Sequence, residues 1–295
     1  MTPSLDSLPE ELVDRIVSYL PQSSQCILSR VSKHFNRIAT PRLYFSIYFR
    51  NATMDKGTPW LLHLTYLLLK KPSLAIFVHS VTLRDVLCDG QVPLPADFKD
   101  NDNGTRKALR WPQEPDLDDV LNAGLKRYSA SKTRSKNKRL EEQLSKLKSG
   151  CEGGILALLL LHLPKLRKLD FSFFSAPLLL ETFQQVANKN APVDSVLVFQ
   201  ELTDVMFNGC DEKEPNPPDL FFACFGLPVV NRIHANRLGN NMQDEPTAVI
   251  AEMEPRSSSV EFVEMRCSKL WQNDLVNVLR ACKKLKTLIH EVGNT

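Results

Sequence analysis

The heptapeptide Leu163-Pro164-Lys165-Leu166-Arg167-Lys168-Leu169 is echoed further along the chain by Leu227-Pro228-Val229-Val230-Asn231-Arg232-Ile233. In both, Leu-Pro closes an apolar stretch of helical length. The residues after it have the form Φ-x-x-Φ-x-Φ, where Φ is apolar: Leu166, Leu169 and Phe171 in one copy, Val230, Ile233 and Ala235 in the other. A strand with one buried face requires such alternation, because successive side chains point to opposite sides of a sheet. Helix, tight turn and strand thus form one unit, and the unit recurs.

Outward from these copies, the same frame opens at Val78, Leu166, Val193, Val230, Val260 and Leu285. Helical stretches precede the six frames at 61–69, 154–163, 177–188, 217–226, 246–253 and 272–283. The inward positions would be Val81, Leu83, Leu169, Phe171, Val196, Val198, Ile233, Ala235, Val263, Met265, Leu288 and His290, and only the last is polar. The opposite face would be mostly polar. It would carry Arg84, Lys168, Arg232 and Arg266, with Phe199 and Phe262 among its few apolar members. The spacing resembles that of leucine-rich repeats, and this resemblance implies a solenoid that holds a partner on its concave side. Those six residues are the expected contacts for a bound protein substrate. A doubly wound α/β sheet also alternates helix and strand. A nucleotide site in such a sheet would need a glycine-rich turn directly after a strand. Gly153-Gly154 instead precedes a helix, and Gly239 stands alone.

The first forty-five residues have a different character. Leu8, Leu12, Ile16 and Leu20 recur at four-residue spacing, as on one stripe of a helix. Ser7 is a candidate cap, Pro9 suits a first turn, and Glu10 and Glu11 complement the positive end of the helix dipole. Pro21 ends this helix. Ser23 or Ser24 would open a second with Ile27, Leu28 and Val31. Ser32 would open a third with Phe35 and Ile38, stopping before Pro41. Three such short helices bury little apolar area, so the unit should complete its core against something else.

Leu8-Pro9-Glu10-Glu11-Leu12, Ile16, Tyr19-Leu20, Val31-Ser32-Lys33-His34-Phe35 and Pro41-Arg42-Leu43-Tyr44 together resemble an F-box, over roughly residues 5 to 46. The pattern departs at Gln25 and Arg30, where that family more often has apolar residues, and at Phe35, where it more often has Trp. The resemblance implies binding to the Skp-type adaptor of a cullin–RING ubiquitin ligase. It carries over to Leu8, Pro9, Leu12, Ile16, Leu20, Leu28, Val31 and Phe35. Sequence does not sort which of these eight fill the module's own core and which touch the adaptor. Pro72-Ser73-Leu74-Ala75-Ile76-Phe77-Val78-His79-Ser80 is similar to the lead-in to the first repeat strand of fungal F-box proteins.

The expected architecture is α+β overall. A small three-helix F-box over 1–48 precedes an α/β leucine-rich-repeat-like solenoid with a parallel sheet over 58–295, broken by a charged insertion at about 90–150. Within that insertion, 126–148 holds nine Lys or Arg against two Glu, while the whole chain carries only +3. The segment reads as a solvated loop, with a basic nucleic-acid-binding or nuclear-import segment as the other reading; nucleic acid is not the expected partner. Seven scattered cysteines without a Cys-x-x-Cys pair, and an N-terminus without a secretory layout, place the chain in cytoplasm or nucleus. The apolar runs at 61–69 and 155–163 are about half the length of a bilayer span, so no membrane association is expected. The six histidines lack metal-ligand spacing, and no nucleophile elbow is present. The expected function is a non-catalytic substrate-recognition subunit with no metal or cofactor, which joins the adaptor, and through it cullin, to an unidentified target. The alternative is an F-box scaffold independent of any ligase.

Overall fold

Residues 5–50, 57–86, 114–128, 152–173, 177–187, 198–208, 218–239 and 254–293 are described by the computed structural model. Among them seven strands form one sheet: β1 Ser46–Arg50, β2 Ser80–Val86, β3 Lys168–Phe173, β4 Asp204–Phe207, β5 Arg232–Asn236, β6 Phe262–Ser268 and β7 Thr287–Val292. Their order in space is their order in the chain, and every neighbouring pair is parallel.

Successive strands from β3 onward join the sheet by one device. The backbone N–H groups of Arg167 and Lys168 both donate to the His79 carbonyl, and those of Thr203 and Asp204 to Arg167. Asn231 and Arg232 likewise donate to Thr203, Glu261 and Phe262 to Asn231, and Lys286 and Thr287 to Glu261. Five repetitions of one local hydrogen-bond pattern are what a repeated helix–turn–strand unit produces.

The buried face follows from the alternation. Ile47, Val81, Leu169, Val205, Ile233 and Val263 stand in register across six strands, and all are buried. Six helices after the N-terminal module supply the opposing layer: α4 Gly57–Lys70, α5 Pro72–Ala75, α6 Leu117–Tyr128, α7 Glu152–Leu161, α8 Pro177–Ala187 and α9 Pro218–Ala223. The last runs on into a 3-10 turn at Cys224–Gly226. α10, Gln272–Ala281, lies between β6 and β7. Residues of the sheet and of these helices form one apolar cluster. At its centre Phe171 and Phe207 meet edge-to-face at 4.6 Å, and Phe207 meets Phe221 at 5.8 Å. The other face of the sheet is mostly polar, with Lys168, Arg232, Arg266 and Glu291 exposed among the described residues. Parallel sheets covered on both faces read as continuous apolar strands, and nucleotide crevices need a reversal of strand order. Neither holds for the described strands, so the doubly wound alternative is not the observed topology.

Five expectations need correction. The sheet starts earlier than expected, at Ser46, inside the range assigned to the N-terminal module. Tyr44, Ile47 and Phe49 fit the strand frame, but the helical reading of the first residues masked them. The fourth strand lies at Asp204–Phe207 rather than from Val193. Leu202, Val205 and Phe207 satisfy the same frame, and Phe207 wins because it reaches both Phe171 and Phe221. Val198 and Phe199 sit in the turn before β4, both buried, while 193–197 lies outside the described residues. The supposed insertion contains α6, which buries Leu117, Leu121 and Leu125 in the main core. Tyr66 donates a 2.6 Å hydrogen bond to Asp116, and Lys70 pairs with the same carboxylate at 2.9 Å, tethering the start of α6 to α4. The rest of the basic segment, 129–148, and the expected helix at 246–253 lie outside the described residues. In the N-terminal module, α2 (Gln22–Leu28) opens on Pro21 rather than on a serine, and α3 (Lys33–Phe45) runs past Pro41.

Candidate functional site

The first described element is a 3-10 turn, Leu5–Ser7, followed by α1 Glu10–Ser18, α2 and α3. Pro9 and Pro21, not serines, stand at the N-caps of α1 and α2. A proline there surrenders an N–H that has no intrahelical acceptor anyway. Ser32 caps α3 as expected, accepting from the Phe35 N–H at 3.2 Å. Tertiary contacts hold the final turn of α3 beyond Pro41. Arg42 donates two hydrogen bonds to Asp14, at 3.0 and 2.6 Å, and the Gln22 side chain donates to the Leu43 carbonyl at 3.0 Å. The Arg42 hydrogen bonds hold the Asp14 carboxyl below its ordinary value, against a smaller opposing effect of burial.

Two apolar stripes share α1. Val13 and Val17 point inward and close a small core with Phe35, Ile38 and Ala39, against which Leu8 and Leu28 pack half-buried. Leu12 and Ile16 lie on another side of α1, 48% and 39% exposed. Tyr19 extends their line by a further helical step and is exposed. Ile27 on α2 and Val31 in the following turn are exposed as well, Val31 at 63%. Pro9 is exposed and Leu20 half-buried. Of the eight residues named from the sequence, Phe35 is therefore a core residue rather than a surface contact. Leu8 and Leu28 are shared between core and surface, Leu20 is half-buried, and Pro9, Leu12, Ile16 and Val31 are exposed. Tyr19 and Ile27 were not among the eight, although their spacing from Leu12 and Val31 is helical. With Leu5 and Phe45, seven large apolar side chains are exposed on this small module, the kind of surface that marks an interaction site.

The polar departure at Gln25 has a structural reason. The residue is buried, and its Nε2 donates to the carbonyls of Val17, which also accepts the Leu20 N–H, and of Leu20, at 3.1 and 2.9 Å, tying α2 to the end of α1. Gln25→Leu is expected to destabilise the protein by about 1–3 kcal/mol, although it restores the apolar residue type common in related modules. An unchanged denaturation midpoint would show that these carbonyls find other donors.

The open face of the sheet carries the other candidate residues. Arg84 donates to Asp170 at 2.7 Å, and the second oxygen of Asp170 accepts from Asn208 at 2.7 Å. Arg232 lies 3.7 Å from Asp204. Arg266 is hydrogen-bonded to Glu264 and stands 3.9 Å from Glu291. The Arg266 and His234 hydrogen bonds depress the Glu264 carboxyl, in that order of effect. Lys168 is exposed at the head of β3. Phe262 pairs in register with Arg232, on the open face as expected, and is half-buried beneath the His234 ring at 5.0 Å. Phe199 does not belong to this surface. It is 1% exposed, has a φ of 56°, and packs edge-to-face on Phe183 at 5.2 Å. The strand that would have turned it outward lies elsewhere. Among the described residues no group of three or more His, Cys, Asp or Glu could hold a metal, and no helix is long and apolar enough to cross a membrane.

The F-box-like family model matches residues 5–50. The chain is also 38% identical over 69 residues to the F-box protein DAS1 of Saccharomyces cerevisiae, a stretch that covers 23% of this chain and 10% of that protein. The match thus spans about a tenth of the relative's length. The matched domain coincides with the three capped helices, their private core and the strand that follows, so the chain carries an F-box-like domain over residues 5–50.

Proposed function

We propose that this protein is the substrate-recognition subunit of an SCF-type cullin–RING ubiquitin ligase. Its two parts are the F-box-like module, which takes the Skp-type adaptor, and a leucine-rich-repeat-like solenoid from β1 onward, which presents its open sheet face to a target protein. The observation that carries this reading is the division of α1 into an inward stripe, Val13 and Val17, and an outward stripe, Leu12 and Ile16. The inward stripe already completes the module's core, which leaves the outward one for a partner. Catalysis in such a complex is by proximity: a receptor raises the effective concentration of a target lysine near the charged enzyme, and no residue of the receptor need touch the reacting bond. Cytoplasm or nucleus is the compartment that fits this role.

The test is co-expression of the full chain with a Skp-type adaptor, a cullin and its RING subunit, followed by affinity purification on the chain. Stoichiometric adaptor and cullin are expected. If the adaptor is absent from a folded, monodisperse preparation, the proposal fails. Adaptor without cullin would instead support a scaffold role outside the ligase.

A further inference from the structure

Beyond Arg50 on β1, the charges that the strands place on the polar face of the sheet balance one another. From β2 to β7 that face bears four cations (Arg84, Lys168, Arg232 and Arg266) and four carboxylates (Asp170, Asp204, Glu264 and Glu291). All three arginines have a carboxylate from this same face within 4 Å. Phosphate recognition depends on guanidinium forks that are free to bond an anion and on a field of one sign. Here an arriving phosphate would compete with Asp170 for Arg84, and with Glu264 for Arg266. Lys168, the remaining cation, stands on β3, three strands from Phe262.

Two apolar side chains of the face meet towards its far end, apart from Tyr48 on β1 and Met206 on β4. Phe262 is in register with Thr287 and Glu264 with Ile289, so Phe262 and Ile289 are diagonal neighbours on adjacent strands, within reach of one inserted side chain. The His234 ring lies against Phe262 at 5.0 Å, and its Nδ1 is held 2.8 Å from the Glu264 carboxylate, which orients the ring as a wall. Ile289 is exposed.

We infer that this face binds an unphosphorylated protein segment of near-zero net charge, seating one apolar side chain against Phe262 and Ile289. The inference rests on the proposed receptor role and gives it a substrate class. Such binding draws on apolar burial, so it responds weakly to ionic strength, unlike a phosphate contact between exposed charges.

The full chain, purified with its adaptor, would be panned against phage-displayed random dodecapeptides in two pools, one untreated and one phosphorylated on Ser and Thr by a promiscuous kinase. The untreated pool is expected to converge on peptides with an aromatic or aliphatic anchor. Their affinity should fall about tenfold or more in Phe262→Ala, yet change less than about threefold between roughly 0.05 and 0.5 M NaCl. Ile289→Ser, at an exposed position, should give a loss in the same direction without threatening the fold. Enrichment only from the phosphorylated pool, a steep salt dependence, indifference to both substitutions, or no convergence from either pool each overturns the inference. Adaptor co-elution is scored throughout. If it persists while only phosphopeptides are enriched, the inference falls and the receptor role stands. If it never occurs, the receptor role falls whatever the peptides do.

Discussion

Leu12→Asp combined with Ile16→Asp is expected to abolish the proposed capture of a Skp-type adaptor while moving the thermal transition by no more than about 3 °C. Both side chains are substantially exposed on α1, so aspartate at either position meets water in the free protein, and surface changes of this kind usually cost within about 0.5 kcal/mol. In a complex the same positions would bury an unpaired charge at the interface, where truncating even one anchor costs about 2 kcal/mol or more. The control is Val13→Asp, which buries a charge inside the module's own core and should unfold it. Wild-type adaptor recovery by the folded double variant, in pull-down or by calorimetry, would place the docking surface elsewhere.

Phe221→Ala is expected to cost about 3–5 kcal/mol, a large share of the 5–15 kcal/mol that stabilises a typical domain. Phe221 is fully buried and meets three other rings edge-to-face: Phe207 of β4, Phe222 beside it on α9, and Phe225 in the turn after that helix. Removing it opens a cavity where strand, helix and turn converge, and the close-packed surroundings can collapse only partly. A fall in Tm of about 10 °C is the expected result for a chain of this length. A shift under about 3 °C would mean that the aromatic cluster repacks freely. Adaptor capture by the remaining folded fraction should persist, because the core of Val13, Val17, Phe35, Ile38 and Ala39 is separate from the cluster that holds Phe221.

Much of the sheet is legible without coordinates because its inward positions are apolar and its outward ones are not. The frames opened by Val78, Leu166, Val230, Val260 and Leu285 all became strands, while of the frame at Val193 only Val198 is described, in a turn. A template of three apolar positions fits Leu202, Val205 and Phe207 equally well, and only contact with Phe171 and Phe221 distinguishes the two. α6 escaped notice because aspartates and lysines dominate its neighbourhood, while Leu117, Leu121 and Leu125 repeat every four residues beneath them. On α1 the stripe Leu12–Ile16 and the stripe Val13–Val17 have the same spacing. Periodicity finds both, and only the position of α3 decides which is inside. The ion pairs of the open face are illegible for a different reason. Arg84 and Asp170 are 86 residues apart, and nothing short of the strand register makes them neighbours.

α3 passes the chain to β1 without an intervening residue: Phe45 closes the helix and Ser46 opens the strand. The joint is pinned on two sides. The Phe45 carbonyl accepts the His79 N–H at 3.0 Å and its ring lies against His79 at 4.9 Å, while the Gln22 side chain holds the Leu43 carbonyl. The N-terminal helices and the sheet are therefore welded on one shaft, like the two jaws of a spanner, and the heading of the sheet's polar face is set by the phase of α3. One residue added to that helix would swing the sheet by about 100° and advance it by about 1.5 Å. Reach, for this molecule, is a fixed length built into its backbone and not a range swept by a flexible arm.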